Sequence, residues 1–391
     1  MVDFCINGGG MVGAALALGL AQQQYNVVVI EPFLPKPFHE NDGPDLRVSA
    51  ISDASVTLLK ALGAWPHIET MRVKPYVGLS VWEDPQHRTD FTADSIAVSQ
   101  LGFFVENRLL QLGCLEALKH YDNVKVISGT RVDSISLGSS AHVQLADGSD
   151  VKAKWLVGAD GANSQVRQAA GIGSTGWQYA QQAMGITIQT EKAVEAITWQ
   201  QFTPSGPKAF LPMYDNYASL VWYNNTDELK RLKGLNNTQL EQEIVHAFPE
   251  ELNQNGNRFS VVDKAIFPLT RSHAHHYVKG CCVILGDAAH TINPLAGQGV
   301  NLGFKDVEAF LSVTSKQTSL ASEDFKTALK QDFEKPRRRD NAIMMTAMDG
   351  FYTLFSNRIA PIKWIRNQLL STAQRIEPAK KEVLKYAIGM R

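Results

Sequence analysis

The sequence is poor in the features that mark secreted, metal-binding or nucleic-acid-binding proteins. Its 391 residues include only four cysteines, without a C-x-x-C spacing, which argues against a disulfide framework and indicates buried reduced thiols. The 38 basic and 39 acidic residues nearly balance, so we expect no nucleic-acid partner. His273, His275 and His276 have no Cys or carboxylate at a matching spacing, and we predict no metal site.

Long apolar runs without interruption are also missing. Residues 4–30 carry no charge, which is long enough for a membrane span or a signal peptide. However, Asp3 stands where a signal peptide has basic residues, and glycines, glutamines and Asn26 interrupt the run. We therefore expect a cytoplasmic protein without a targeting segment.

The same uncharged stretch predicts the first βαβ unit of a nucleotide-binding domain. Residues 4–6 and 27–30 have the pattern of strands, and residues 11–24 that of a helix. Between them lies a G-x-G-x-x-G motif, and an acidic residue ends the second strand. The glycines permit a tight turn and the approach of a pyrophosphate, and the carboxylate accepts a ribose hydroxyl. This pattern predicts a dinucleotide site but does not choose between NAD and FAD.

A motif far downstream, residues 286–301, favours FAD. Residues 281–285 are predicted as a buried strand, and residues 302–314 as a helix. An aspartate at the strand end and a glycine-rich turn before the helix suit a ribityl chain and a flavin ring, because strand ends and helix N-termini bind ligands in doubly wound sheets. Residues 158–167 form a third motif, predicted as a capped strand–helix corner.

The predicted fold is α/β, with an FAD-binding Rossmann-like domain, an inserted β-sheet substrate domain and a helical C-terminal region. Strand-like segments between residues 183 and 223 follow one another without helices, which breaks the βαβ rhythm. We assign residues 1–73, 98–180 and 270–345 to a discontinuous FAD-binding domain, residues 74–97 and 181–269 to the substrate domain, and residues 346–391 to the C-terminal region.

Taken in order, the three motifs resemble those of the single-component (class A) flavoprotein aromatic hydroxylases, which have the p-hydroxybenzoate hydroxylase fold. Residues 45–52, 105–107, 199–204 and 267–271 are further similar to the ubiquinone-biosynthesis hydroxylases, and the likeness covers nearly the whole chain. The resemblance implies an FAD-dependent monooxygenase that hydroxylates the ring of a polyprenylated methoxy-methyl-benzoquinol through a flavin C4a-hydroperoxide. It also implies O2 and NAD(P)H as co-substrates.

The resemblance implies roles for residues at matching positions. Asp160 would hold the site behind the pyrophosphate, and Val132 would meet the adenosine through its backbone. Pro294 and Gly297 would line the space where oxygen and substrate meet. The other contacts expected on the ADP side of FAD are made by Gly8, Gly10, Met11, Val12, Gly13 and Glu31. Those expected on the flavin and ribityl side are made by Arg47, Asn107, Gly286, Asp287, Gly297, Gln298, Gly299, Val300 and Asn301.

The substrate pocket is less well defined by the sequence. Phe202, Phe210, Pro212 and Trp222 are candidates for an apolar wall that excludes water, but core packing of the sheet explains each of them equally well. We expect His290 to make a structural hydrogen bond rather than to act as a base, and we assign no catalytic base.

The C-terminal region is basic. Residues 335–391 contain twelve Lys or Arg and four Asp or Glu, a net charge of +8. Aromatic and aliphatic residues interleave with cations between residues 351 and 366, which suits the surface of the inner membrane or a quinone-biosynthesis complex. A helix pair packed on the body, with residues 335–339 as a solvated face, explains the pattern equally well. Two other functions also stay open, namely hydroxylation of another ring position or another aromatic compound, and a flavin-binding scaffold subunit.

Overall fold

The computed structural model describes residues 1–252, 258–292, 299–317 and 319–355. The strands in these residues are β1 (Val2–Asn7), β2 (Val27–Glu31), β3 (Val48–Ser52), β4 (Lys74–Tyr76), β5 (Gly78–Trp82), β6 (Thr89–Thr92), β7 (Gly102–Glu106), β8 (Val124–Ser128), β9 (Val132–Leu137), β10 (Ala141–Leu145), β11 (Asp150–Gly158), β12 (Ser174–Thr190), β13 (Ile197–Gln201), β14 (Lys208–Pro212), β15 (Tyr217–Asn225), β16 (Phe259–Ala274), β17 (Val278–Lys279), β18 (Cys282–Ile284) and β19 (His290–Thr291). The helices are α1 (Met11–Gln22), α2 (Asp53–Ala61), α3 (Trp65–Met71), α4 (Asn107–Leu118), α5 (Gln165–Ala169), α6 (Thr226–Gly234), α7 (Asn237–Ala247), α8 (Gly299–Thr314), α9 (Glu323–Ala328) and α10 (Lys335–Phe355).

The first sheet has the order β17-β18-β11-β1-β2-β8, and the β9–β10 hairpin extends it from β11. The strands from β18 to β8 along this path are parallel. Parallel strands need helical crossovers on the sheet faces, which explains why β1 and β2 are almost continuously apolar and why α1 packs against α4 and α8. The carboxyl ends of β1, β11 and β18 therefore meet at one edge of this sheet.

The second sheet has the order β19-β16-β12-β15-β14-β13-β5-β6. Its two long strands, β12 and β16, pair antiparallel over most of their length. One face carries a hydrophobic core that is closed by α6 and α7. A three-stranded sheet, β3-β7-β4, is formed by chain segments between β2 and β8. Its strand β7 leads directly into α4. The predicted α/β class with an additional sheet-rich region is confirmed.

The structure departs from the sequence predictions in the second sheet. His273 lies in β16, a strand with Asp263, Lys264 and Pro268 that lacks the regular alternation by which a strand is predicted from a sequence. The proline stands beside a register shift, where a strand tolerates the loss of an N–H donor. Because β12 begins at Ser174 and β16 ends at Ala274, both strands cross the domain boundaries drawn at residues 180 and 269. Those boundaries stay a prediction.

No helix in the described segments combines the length and the apolar content that crossing a membrane requires.

Candidate functional site

The three glycines of the first motif, Gly8, Gly10 and Gly13, differ in what a side chain would meet at each position. Gly8 has φ +101°, and a Cβ there would lie 2.3 Å from the Ala159 carbonyl oxygen. A Cβ on Gly13 would lie 1.9 Å from the Gly8 carbonyl oxygen, so α1 and the turn touch at this point. A Cβ on Gly10 would meet no atom of the described residues within 4 Å. The turn is thus tight at Gly8 and Gly13 and open at Gly10, in front of the N-terminus of α1.

The open side of Gly10 fits a pyrophosphate. Gly10 is the residue before α1 and has no side chain to cap its first-turn N–H groups. These donors and the positive end of the helix dipole suit an anion. Met11 and Val12 form the first turn, and Val12 also packs against Gly286, where a Cβ would lie 3.4 Å from Val12 Cγ2.

Glu31 and Asp160 both support the turn that carries the glycines. Glu31 Oε2 accepts a hydrogen bond of 2.7 Å from the Gly9 N–H, at the end of β2 where we expected a ribose ligand. Asp160 Oδ2 accepts from Asn7 Nδ2 at 3.0 Å and from the Gln165 N–H at 2.7 Å. Asp160 Oδ1 is buried and has no hydrogen-bond partner in the described part of the chain. Asn7 was not among the predicted site residues, and its polar character at a strand end is the only signal.

Asp287 lies where the ribityl chain was expected, in a short turn (Gly286–Ala288) after β18. Asp287 is exposed to solvent, although enough protein surrounds it to desolvate its carboxylate. Desolvation raises the pKa of Asp287, and the cationic charges of His290 and Arg47 oppose this shift. No described residue donates a hydrogen bond to this carboxylate, so its oxygens are available to ligand hydroxyls.

Arg47 and Asn107 are brought together beside this carboxylate. The Asn107 N–H donates to the Arg47 carbonyl at 3.0 Å, and Asn107 Oδ1 accepts from Ser49 Oγ at 2.7 Å. Arg47 is exposed, and its guanidinium lies 4.9 Å from the ring centroid of Phe267 in β16. Arg47 therefore connects the edge of the first sheet with a face of the second.

The loop before Arg47 is fixed by a buried ion pair that the sequence did not reveal. Arg72 Nε lies 2.7 Å from Glu106 Oε1, and Glu106 Oε2 accepts from the Asp45 N–H at 2.7 Å. The Arg72 guanidinium also lies 4.1 Å from the ring centroid of Tyr214. This pair holds the segment that carries Arg47 against β7 and against a turn of the second sheet.

A buried carboxylate, Asp306 in α8, organises the turn around Asp287. It accepts hydrogen bonds from the Gly286 N–H at 3.0 Å and from His290 Nε2 at 2.5 Å, and Arg337 Nε lies 2.8 Å from its other oxygen. Burial opposes ionisation, but His290 and Arg337 outweigh it and lower the pKa of Asp306 to about 2. His290 thus makes a structural hydrogen bond, and Arg337 is buried rather than part of a solvated face.

The network continues from Arg337 towards β16. Asn341 Nδ2 donates to the Tyr277 hydroxyl at 3.1 Å, and this hydroxyl lies 2.9 Å from His273 Nε2. Burial lowers the pKa of His273 to about 4, with further lowering by the His290, Arg338 and Arg271 cations. His273 is therefore neutral near pH 7 and accepts the hydrogen bond from Tyr277.

The neighbouring histidines bind other partners. His275 Nε2 lies 2.8 Å from Thr175 Oγ1, and His276 Nδ1 lies 3.5 Å from Glu334 Oε1. Within the described segments, no group of three or more His, Cys, Asp or Glu side chains is arranged to hold a metal ion.

The N-terminus of α8 faces the same edge, at Gly299, Val300 and Asn301. The Asn301 side chain is mostly used inside the protein, because Oδ1 accepts from the Ser52 N–H at 3.0 Å and from Ser55 Oγ at 2.8 Å while Nδ2 donates to the Ala50 carbonyl at 2.8 Å. What this residue still offers a flavin is its backbone and the second N–H of Nδ2. The predictions for Pro294, Gly297 and Gln298 fall outside the described residues.

The remaining predicted residues, Val132 and Phe202, both make backbone contacts beside or within a sheet. Val132 is buried at the start of β9, where its backbone pairs with Leu145. Phe202 follows β13, and its N–H donates to the Trp82 carbonyl at 2.7 Å.

Three predicted pocket residues lie on the face of the second sheet that turns away from Arg47. Phe210 and Trp222 belong to the core between this sheet and α6 and α7, where Phe210 stacks on Trp199 with ring centroids 5.4 Å apart. Pro212 pairs with Ala218 of the same core. Core packing accounts for these side chains, so their placement does not support a pocket role. The opposite face carries Phe267 and is the one that meets Arg47.

The chain is similar to known flavoproteins and oxygenases in sequence. The profile of a family described as "FAD binding domain" matches residues 1–316. Over 389 residues the chain is 44% identical to the 3-demethoxyubiquinol 3-hydroxylase of Escherichia coli (strain K12), and the match covers 99% of this chain and 98% of the relative. It is 32% identical to the mitochondrial ubiquinone biosynthesis monooxygenase COQ6 of Xenopus tropicalis, with coverage of 98% and 93%.

A solved structure has the same fold. The p-nitrophenol 4-monooxygenase PnpA from Pseudomonas putida DLL-E4 superposes with a TM-score of 0.81, and the match covers 99% of this chain and 98% of that chain. At 16% identity this likeness concerns the fold alone.

Proposed function

We propose that this chain, which belongs to the FAD-binding-domain family, is an FAD-dependent monooxygenase of ubiquinone biosynthesis that hydroxylates the ring of a polyprenylated methoxy-methyl-benzoquinol. The near-complete coverage of a 3-demethoxyubiquinol 3-hydroxylase supports the substrate class. The relative from Xenopus tropicalis is described only as a ubiquinone biosynthesis monooxygenase, without a ring position. The ring position is therefore part of the proposal.

One structural observation carries this function. The edge with the open glycine turn, the accessible Asp287 carboxylate and the N-terminus of α8 lies beside Arg47, which reaches Phe267 on the second sheet. A flavin held along that edge would present its ring towards this sheet face. An aromatic substrate on the sheet would then lie against the reactive side of the ring, as hydroxylation requires.

Residues of this chain have defined tasks in that arrangement. The N–H groups at the start of α1 would bind the pyrophosphate, Glu31 a ribose hydroxyl and Asp287 the ribityl hydroxyls. Backbone N–H groups at the start of α8 would stabilise negative charge on the reduced ring. When bound, FAD supplies the two-electron chemistry that activates O2. The protein orients the ring and excludes water.

The reductant and the cellular place are further parts of the proposal. Insertion of one oxygen atom from O2, with the other leaving as water, needs two electrons, and we assign NAD(P)H as their source. A polyprenyl quinol is almost insoluble in water, and the basic region from residue 335 onward suits anionic lipid headgroups or a quinone-biosynthesis complex. We infer a cytoplasmic protein in peripheral contact with the inner membrane.

Complementation tests the function. We expect the chain, expressed in an Escherichia coli strain that lacks 3-demethoxyubiquinol 3-hydroxylase, to restore ubiquinone and to remove the demethoxy intermediate from quinone extracts. The variant Asp287→Ala should lose both flavin absorbance and complementation. Asp332→Ala, which changes an exposed aspartate in the helical segment between α9 and α10, is the matched control and should behave as wild type.

Each alternative has its own outcome. Persistence of the demethoxy intermediate, with a purified protein that binds FAD, would reject the ring position and favour another one or another aromatic substrate. Ubiquinone synthesis that survives Asp287→Ala, despite loss of flavin, would favour the scaffold function. A purified wild-type protein that does not bind FAD would contradict the proposal altogether.

A further inference from the structure

The face of the second sheet that meets Arg47 carries short side chains between two aromatic residues. Phe267, Ala183 and Tyr223 lie side by side on β16, β12 and β15. Two strand spacings, about 10 Å, separate the two aromatic residues, with only the alanine between them. A neighbouring row on the same face has Ala265, Gly185 and Val221.

Tyr223 is an unusual residue at this place. It is 2% exposed, and its hydroxyl has no hydrogen-bond partner in the described part of the chain. Its ring packs in a small cluster with Ala183, Leu269 and Tyr179, and Met348 of α10 lies against that cluster. A buried hydroxyl without a partner costs stability, and native proteins retain few of them. The hydroxyl is therefore available to a partner that the described residues do not supply.

Gln181 offers the complementary group on the same face, two residues before Ala183 in β12. Its Nε2 donates to the Ser205 carbonyl at 2.9 Å, which fixes the orientation of the amide. The other end, Oε1, is buried and has no partner within the described residues. Tyr223 thus leaves a donor unused and Gln181 an acceptor.

A hydroxyl on an aromatic ring satisfies both groups, because it accepts one hydrogen bond and donates another. We propose that Tyr223 and Gln181 together hold one ring hydroxyl of the quinol. The Tyr223 hydroxyl would donate a hydrogen bond to its oxygen, and Gln181 Oε1 would accept a hydrogen bond from its O–H. The inference rests on the proposed function, since it concerns the substrate of the same site. It makes Tyr223 a specificity-determining residue for rings that carry a hydroxyl at one position.

The test uses the flavin-loaded protein and tail-less ligands under anaerobic conditions. Calorimetric Kd values are measured for 2-methoxy-5-methyl-1,4-benzoquinol and for its two monodeoxy analogues, 2-methoxy-5-methylphenol and 5-methoxy-2-methylphenol. Wild type should bind the quinol about tenfold more tightly than the analogue that lacks the held hydroxyl, since that analogue leaves both buried groups unpaired. The identity of that analogue tells which hydroxyl is held.

Tyr223→Phe keeps the ring and removes the donor. We expect its Kd for the quinol to rise about tenfold and its preference for the held hydroxyl to fall below threefold. Its ligand-free melting temperature should stay the same or rise, because an unpaired buried hydroxyl is removed. A hydroxyl with a purely structural role would instead lower that temperature and leave every Kd unchanged.

Tyr179→Phe is the matched control in the same cluster. The Tyr179 hydroxyl already bonds to the Asp349 carboxylate, so this variant should lose stability but keep the wild-type preference among the three ligands. Equal weakening of all three ligands in Tyr223→Phe, or an unchanged quinol Kd, would overturn the inference while the proposed function stands. Wild-type protein that holds FAD but binds no quinol would reject both, and this is seen without any variant.

Discussion

The two large sheets serve the proposed site by different means. The first sheet presents mainly backbone, as the open turn at Gly10 and the starts of α1 and α8 show. The second sheet presents side chains from one of its faces, such as Phe267 and Tyr223. Backbone ligands depend on glycine positions and helix ends, whereas side-chain ligands depend on which face of a strand is used. One site can thus depend on the spacing of glycines in one sheet and on the alternation of side chains along the strands of another.

The first sheet, which presents backbone groups to the site, should be most sensitive to substitution of its glycines. Gly10 and Gly13 should nevertheless respond differently. Gly13→Ala places a Cβ 1.9 Å from the Gly8 carbonyl oxygen, and we expect a loss of about 4 kcal/mol in the free energy of unfolding. Gly10→Ala meets no described atom, so it should fold as wild type but retain FAD at least tenfold more weakly. Urea unfolding and flavin titration measure the two effects. Equal stability of both variants would refute the packing argument.

Asp306 is a side chain of the first region that acts on its backbone, because it accepts from the Gly286 N–H and pairs with Arg337. Asp306→Asn leaves Arg337 buried without its counter-charge, and we expect a loss of about 3 kcal/mol in unfolding free energy together with faster release of flavin. Asp340→Asn is the control, since Asp340 contacts the same arginine at 3.3 Å from an exposed position and should change neither quantity measurably. Similar effects of both variants would show that the buried pair has no special weight.

The smallest expected effects compare the two faces of the second sheet. Trp222→Phe removes volume from the core under α6 and α7 and should lower the unfolding free energy by about 1 kcal/mol without changing flavin or quinol affinity. Phe267→Leu removes the ring beside Arg47 and should weaken ligand binding about threefold with less effect on stability. Denaturation and calorimetry on both variants check the assignment. A change of quinol affinity in Trp222→Phe alone would mean that the site uses the other face.

The sequence predicted the elements of the first βαβ unit well because their signals are local. The apolar runs, the glycine spacing and Glu31 lie within one βαβ unit, and the structure has β1, α1 and β2 close to the predicted bounds. The second sheet was harder, since both of its faces are largely buried and apolar residues occur at odd and even positions alike. This is why the sequence offers Phe210 and Trp222, but not Tyr223, as candidates for the pocket.

The supporting ion pairs could not be predicted either. Asp306 stands inside a helix without a motif of its own, and Arg337 belongs to a basic run that usually indicates a solvated surface. Only the packing of α10 on α8 joins these two residues across 31 positions of sequence. Long-range partners of this kind leave no periodic or spacing signal.

The strand order of the first sheet has a consequence for how the protein is made. A ribosome releases β1 and β2 early, but β1 pairs with residues near 155 and β11 with residues near 283, so the parallel edge stays open through most of translation. Contacts over such separations form slowly. The ion pair between Arg337 and Asp306 forms later still, because Arg337 follows every strand of this sheet in the chain. A nascent chain that ends before Arg337 lacks this cation, so the Asp306 carboxylate that accepts from the Gly286 N–H gains its partner from α10 only after most of the chain has been synthesised.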